Sequence, residues 1–298
     1  MKLVLAGASG FLGTAWRDHL AREGHEVVRL VRGEALSANE STWDPMAGTV
    51  DRAVIESADV VACLSGANLA HFPWTESYKR TFVTSRTATT RTLAAAIAAS
   101  DRKPTFLAQN GIAGYGDRGD AVITEKSPTD ADTFMGTVTR EWQACTEPAA
   151  EAGARVVVMR SGVVLDRRGG ALKPMLLQFK AGVGGPIGSG EQYFSTISLV
   201  DWMRAATWLA GNAAATGAYN LTAPQQTTQA EFTAQLAVLL HRPRLVRAPA
   251  FALKALLRDV SSELLGSQRV EPRRLLDEGF VFEHPTLETR LLSALGRI

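Results

Sequence analysis

The chain has 298 residues, 46% hydrophobic and 21% charged, a composition that fits a folded globular protein and excludes a disordered or fibrous one. Its 32 Lys and Arg against 30 Asp and Glu leave a formal charge of +2, so no extended basic face for a nucleic-acid backbone is expected. Its two cysteines, Cys63 and Cys145, lack metal-ligand spacing, no apolar run reaches the roughly 18–20 residues that span a bilayer, and MKLVLAGASG lacks the regions of a signal peptide. A cytoplasmic protein without metal or membrane partners is the expectation.

In chain order, KLVLAG reads as a buried strand, and FLGTAWRDHLAREG follows with apolar residues at helical spacing up to Gly24. HEVVRLVR and DVVACLSG are further short apolar runs of the kind that parallel sheets bury on both faces. SYKRTFVTSRTATTRTLAAAIAAS is a long helix closed by Ser100 and Asp101, and TFLAQNG and ARVVVMRSGVVL return to strand. Alternation of this kind predicts an α/β fold with a doubly wound parallel sheet, whose ligand sits at the carboxyl ends of the strands.

After Leu165 the texture changes. Glycines at 169, 170, 182, 184, 185, 188 and 190 make the segment from Gly169 to Gly190 read as a mobile loop over a site. GAYNLTAPQQTTQAEFTAQLAVLLHRP then predicts a short strand and a helix, and the last third reads as a smaller, mostly helical C-terminal lobe.

VLAGASGFLG places Gly7, Gly10 and Gly13 directly after the first strand and at the start of a helix. In that context Gly7 serves the tight turn, Gly10 the close approach of a pyrophosphate and Gly13 the packing of helix on strand. The helix N-terminus supplies N–H groups and positive potential. The spacing is G-x-x-G-x-x-G, which a tight turn without ligand also produces. An NAD site expects a carboxylate at the end of the second strand, but that strand ends Arg29-Leu30-Val31-Arg32-Gly33. Arg32, with Arg29 beside it, predicts charge-assisted hydrogen bonds to a 2′-phosphate and hence NADP, against the plainer reading of a solvated arginine.

These glycines resemble the extended and atypical short-chain dehydrogenase/reductases. The stretches WDPMAGTV, SGANLA, PWTESYKRTFVTSRTATTRTL, RSGVVLDRRGGALKPM, FKAGVGGPIGSGEQYFSTI, GAYNLTAP and RPRLVRAPAFALK narrow this to the epimerase-family, nucleoside-diphosphate-sugar-epimerase-like group with its C-terminal domain of unknown function. The resemblance implies a Rossmann-like NADP-binding domain over residues 1–165, with 197–222 returning to it, and a smaller substrate-side lobe from 166–196 and 223–298. By position it puts Gly7, Ser9, Gly10, Phe11, Leu12 and Gly13 at the pyrophosphate, Arg32 at the 2′-phosphate and Leu64, Ser65 and Gly66 on the adenosine side. Gln109, Asn110, Ser161 and Val163 would approach the nicotinamide. The superfamily also often dimerises, so a homodimer is among its implications.

Reductases and epimerases of this superfamily use a Ser and a Tyr-x-x-x-Lys pair, in which the lysine lowers a tyrosine pKa that otherwise lies near 10. Here Asn110 stands where the serine is expected, and four residues after Tyr115 comes Gly119. The usual slot for the pair, about 25 residues on, reads Phe134-Met135-Gly136-Thr137-Val138-Thr139. Asn110 can orient a carbonyl and Tyr115 can donate a proton from a cleft, but neither is set up to remove one. Relatives also carry a Trp and a His before the acid that matches Asp201, where this chain has Phe194-Ser195-Thr196-Ile197-Ser198.

The remaining candidates are Lys79, His71 and Trp74 after the third apolar run, Arg160 as a strand-end structural partner, and His241 and His284 as structural histidines. Lys173, Phe179, Lys180 and Tyr193 flank the glycine-rich segment, facing an anion or forming plain loop. Two functions follow: an NADP(H)-dependent oxidoreductase or epimerase-like protein acting on an unidentified small molecule, or a non-catalytic dinucleotide-binding regulator or interaction protein.

Overall fold

In the computed structural model, which describes residues 1–69, 71–244, 246–257 and 260–298, strand and helix alternate from the first residues onward. Ala70 of SGANLA and Leu245 of RPRLVR lie outside the described residues. The first elements are β1 (Lys2–Ala6), α1 (Phe11–Arg22), β2 (Glu26–Val31), β3 (Glu40–Asp44), β4 (Thr49–Val50), α2 (Arg52–Ser57), β5 (Val60–Cys63) and α3 (Glu76–Ala99). Next come β6 (Thr105–Gly111), a 3-10 turn at Ile112–Tyr115, β7 (Val122–Ile123), α4 (Phe134–Ala144), α5 (Glu147–Glu151), β8 (Val156–Ser161) and β9 (Val163–Leu165). The chain continues through α6 (Leu172–Lys180), β10 (Thr196–Ser198), α7 (Leu199–Gly211), β11 (Gly217–Leu221) and α8 (Gln229–Leu240). It ends with α9 (Ala250–Leu257), α10 (Ser261–Leu265), β12 (Arg269–Val270), α11 (Arg273–Asp277) and α12 (Leu287–Leu295).

The chain divides into two compact units. The first comprises Met1–Asn110, Arg140–Met159 and Ala206–Ala218, the second Gly111–Thr139, Arg160–Ala205 and Tyr219–Ile298.

An eight-stranded sheet of order β11-β8-β6-β5-β1-β2-β3-β4 organises the first unit. β1 pairs in parallel with both β2 and β5, Leu3 lying opposite Val27 on one side and Val60 on the other. Strand order therefore reverses at β1 and β5, the place where open α/β sheets hold ligands. Leu3, Val4, Leu5 and Ala6 are all fully buried although alternate residues face opposite sides, so the sheet is covered on both faces. One layer packs Val4, Ala6, Val28, Val61, Phe106 and Ala108 against Leu93, Ala94 and Ile97 of α3 and Ala149 of α5. Trp16 of α1 is fully buried and donates its indole N–H to Thr207 at 2.9 Å.

In the second unit β9 pairs in parallel with β10 and β12 with β7. Leu165, Leu172, Phe179, Phe232, Leu236, Leu287 and Leu291 form its apolar core. Capping boxes start α8 at Thr228 with Glu231 and α12 at Thr286 with Thr289, which satisfies N–H groups that would otherwise lack partners. Among the described residues no helix is long and apolar enough to cross a membrane.

Two readings of the sequence change. ARVVVMRSGVVL is two strands in different sheets, because the chain breaks at Gly162 between β8 and β9. The segment from Gly169 to Gly190 holds α6, whose Leu172 and Phe179 are core residues. Some of its glycines serve close packing: a Cβ on Gly185 would lie 1.7 Å from the Val246 carbonyl oxygen and one on Gly184 2.5 Å from the Phe179 ring.

Arg155 ties the end of α7 into the first unit, donating to the carbonyls of Leu209, Ala210 and Ala215 at 3.0, 2.7 and 3.1 Å. Hydrogen bonds from a charged donor contribute about 1.5–3 kcal/mol each, and they are not additive. Arg155→Met is expected to lower unfolding free energy by about 2–4 kcal/mol in a urea titration; an unchanged midpoint would show these bonds to be idle.

Candidate functional site

The turn after β1 is built on two close backbone approaches. Gly7 has φ +81°, and a Cβ there would lie 2.7 Å from the Leu64 carbonyl carbon and the Ser65 nitrogen at the end of β5. A Cβ on Gly13 would lie 2.1 Å from the Gly7 oxygen. The turn closes through Gly10 N–H to Gly7 O at 3.0 Å, and Thr14 N–H then starts the helix by donating to Gly10 O at 2.9 Å.

No side chain caps α1 at Gly10 and no acid occupies its first turn. Its positive end is thus uncompensated beside exposed Ser9 and Gly10, with Phe11 and Leu12 half-buried. An uncapped helix start of this kind favours an anion, and the lack of side chains at Gly7 and Gly13 is what lets the turn pack closely enough to form it.

At the end of β2 the two arginines separate. Arg29 pairs with Glu40 at 2.7 Å, which commits it to joining β2 and β3. Arg32 is exposed, and no hydrogen bond or ion pair reaches it among the described residues. The predicted 2′-phosphate ligand is therefore available at Arg32 and not at Arg29.

Beyond β5, Leu64 and Ser65 are half-buried and Gly66 is exposed. Arg86 of α3 holds this loop from below. It donates to Ala67 O and Phe82 O at 3.0 and 3.1 Å and lies over the Phe82 ring at 3.4 Å. Burial pulls its pKa down to about 10. Sequence reasoning missed Arg86, because nothing in SRTATT distinguishes an inward arginine from a solvated one.

At the end of β6, Gln109 donates to Asn110 O at 2.8 Å, and Asn110 is buried at 2% exposure. Cys63 is buried, accepts from Thr90 at 3.7 Å and has its thiol pKa pushed up by burial, so it is inert packing. Lys79 pairs with Glu76 at 2.8 Å, and His71 stacks on Tyr78 with centroids 3.8 Å apart while Trp74 packs on Phe82.

In the second unit Tyr115 is fully buried rather than lining a cleft. Its hydroxyl donates to Asn220 Oδ1 at 2.7 Å and accepts from Arg160 Nη1 at 2.8 Å. Burial raises its pKa, with Arg160 opposing. The proton is thereby both held and harder to release, which corrects the expectation of a proton donor.

Asn220 continues the network, donating to Glu271 O and, from its backbone, to Glu125. Ser161 accepts the Trp202 indole N–H at 2.8 Å, and Val163 pairs with Thr196 in the small sheet. Met135 and Thr139 are buried in α4, with the Thr139 hydroxyl donating to Gly136 O at 2.9 Å.

Asp201, 0% exposed, accepts the backbone N–H groups of Glu283 and His284 at 2.8 and 2.9 Å. Ser198 lies 3.0 Å from His284 Nδ1, but Asp201 approaches the same nitrogen at 3.8 Å, and Ser198 is fully buried. A nucleophilic triad needs Ser and Asp on opposite ring nitrogens, so this group is a structural clasp. His241 ends α8 in the left-handed region at φ +52°. Of the residues flanking the glycine-rich segment, Phe179 is core, Tyr193 lies under Arg269, and Lys173 and Lys180 are exposed.

Tyr115→Phe leaves a buried arginine donor and an amide oxygen without their shared partner. A cost of about 1–3 kcal/mol in unfolding free energy is expected; a neutral substitution would show the hydroxyl to be dispensable to the fold.

A family model described as "NAD dependent epimerase/dehydratase family" matches residues 3–222, and one described as "Domain of unknown function (DUF1731)" matches residues 248–294. The epimerase family protein ML0860 of Mycobacterium leprae is 36% identical, covering 99% of this chain and 96% of its own length. A crystal structure of the human epimerase family protein SDR39U1 with NADPH superposes with a TM-score of 0.91 at 32% identity over 100% of both chains. A nucleoside-diphosphate sugar epimerase from Corynebacterium glutamicum gives 0.79 at 29% identity, covering 99% of this chain and 58% of that one.

Proposed function

This chain belongs to the NAD-dependent epimerase/dehydratase family, and on that premise we propose that it is an NADP(H)-binding oxidoreductase or epimerase-like protein acting on an unidentified small molecule. The observation that carries the reading is the uncapped start of α1 at Gly10 together with the unpartnered guanidinium of Arg32. NADPH in the human relative supports the choice of dinucleotide. Gly7, Ser9, Gly10, Phe11, Leu12 and Gly13 would hold the pyrophosphate, Arg32 the 2′-phosphate, and Leu64, Ser65 and Gly66 the adenosine side. When bound, such a cofactor supplies hydride transfer.

The chain's own part is to bind and orient. The α1 N–H groups offset phosphate charge, and Arg32 separates NADPH from NADH by a bond the latter lacks. Asn110 would orient a carbonyl oxygen, and a proton would come from water, since the Tyr115 hydroxyl is engaged by Arg160 and Asn220. A non-catalytic regulator is the second reading, favoured by that occupied tyrosine and by Met135 and Thr139 standing in the usual Tyr-Lys slot. A reducing cytoplasm suits either, given two buried, unpaired cysteines.

Thermal unfolding with NADPH, NADP, NADH and NAD tests the cofactor. A ligand at a hundred times its dissociation constant stabilises the native state by about 2.7 kcal/mol. NADPH is expected to shift the transition more than NADH, and Arg32→Ala to reduce that preference by about 10- to 100-fold in affinity. Arg29→Ala is expected to preserve the preference. No shift with any dinucleotide would overturn both readings. NADPH consumption against aldehydes, ketones, quinones and nucleotide sugars then separates enzyme from regulator.

A further inference from the structure

A cavity of about 270 Å³ lies within the second unit, lined by Gly116, Asp117, Thr133, Ser261, Ser262, Glu263, Leu265, Gly266 and Gln268. This is just under the roughly 300–1,000 Å³ of pockets that take drug-sized ligands, so its occupant is small. Most of the wall is apolar, with a few acceptors set into it. Glu263 and Asp117 supply carboxylates and Gln268 an amide, and among the described residues no lysine, arginine or histidine lines it. The nearby Arg118 points elsewhere, donating to Tyr115 O and pairing with Asp130.

Glu263 is the unusual member. No hydrogen bond or ion pair reaches its carboxylate among the described residues, although the side chain is partly buried. Burial alone raises its pKa from the ordinary 4.5 to about 7. Asp117 accepts only a local turn bond, from Gly119 N–H at 3.0 Å, and is exposed. For Glu263, ionising a partly buried carboxylate without an internal partner is costly unless a bound cation offsets the charge.

We propose that this cavity binds a small molecule carrying a protonated amine, with Glu263 as the paired anion, Asp117 as a second acceptor, and Ser261, Ser262, Thr133 and Gln268 around the ligand's polar body. An anionic sugar or phosphate is excluded from it by the same two carboxylates. The site is separate in its residues from the proposed dinucleotide cradle, and its ligand is identified independently of cofactor binding.

The test uses three C6 polyols of like size, 1-amino-1-deoxyglucitol, glucitol and gluconate, in isothermal titration with the full-length protein at pH 6 and pH 8. The amine resembles lysine, whose pKa is about 10.4, and stays charged at both values. Saturable binding of the amine alone is expected, tightening at least threefold from pH 6 to pH 8 as Glu263 ionises.

Glu263→Gln keeps the shape and is expected to weaken amine binding at least tenfold and to remove the pH dependence. The sign of its stability effect is also set. In the wild type the folded carboxyl stays protonated to about 7 while the unfolded one ionises near 4.5, so stability is lost as pH rises through that window. The variant should therefore melt higher than wild type at pH 8 and equally at pH 4.5. Equal binding of gluconate, undiminished amine binding in Glu263→Gln, or no amine binding by wild type would each overturn the proposal. NADPH-induced melting shifts measured in parallel report on the cofactor reading separately.

Discussion

The first unit depends on one contact that no side chain larger than hydrogen can make. Gly13 stands so close to Gly7 that a Cβ would sit 2.1 Å from the Gly7 oxygen, and Gly7 in turn presses on the end of β5. This double approach sets where α1 begins relative to the two central strands. It brings the helix start, with its free N–H groups, to the carboxyl ends of β1 and β5, where strand order reverses. A helix displaced by one methyl group at either glycine would move its dipole and its donors together. The proposed anion cradle is therefore a by-product of packing, resting on the same atoms as the fold.

A buried polar chain does corresponding work in the second unit. Arg160 donates to Tyr115, Tyr115 to Asn220, and Asn220 to Glu125, whose pKa is raised by burial. Arg274 donates its own backbone N–H to Glu125 and its guanidinium to Tyr219, which bonds Glu278. Buried polar groups favour pairing, and each pairing consumes the lone pair or proton that chemistry would need. Tyr115 shows the consequence. It has the residue type of a superfamily acid, but its hydroxyl is engaged by Asn220 and Arg160.

Much of the first unit was legible because hydrophobic runs and glycine punctuation come from local physics. KLVLAG, the glycine turn and the long helix Glu76–Ala99 lie where periodicity put them. β4, β7 and β12 are two residues each and α2 is six, too short to show any period. α6 was hidden because its flanking glycines imitate a loop, although Gly184 and Gly185 are pressed against the Phe179 ring and the Val246 backbone. In the site, a strand-end arginine could be named from sequence, but its ownership could not. Whether Arg29 or Arg32 stays open depends on Glu40, eleven residues after Arg29 and on a strand that the sequence does not announce.

The general point concerns which charges a protein leaves unspent. Arg86 and Arg155 are turned onto backbone carbonyls, Arg160 onto a phenol and Arg29 onto a carboxylate. A guanidinium used in this way contributes little to an external anion, because binding would first have to break an internal bond worth as much as the new one. Arg32 carries no such cost, so its full interaction energy is available to a phosphate. Glu263 is the acidic counterpart in the second unit, with no hydrogen bond or ion pair reaching it among the described residues. The charges that folding leaves unneutralised are the ones available to a ligand, and residue type alone would have ranked all five arginines alike.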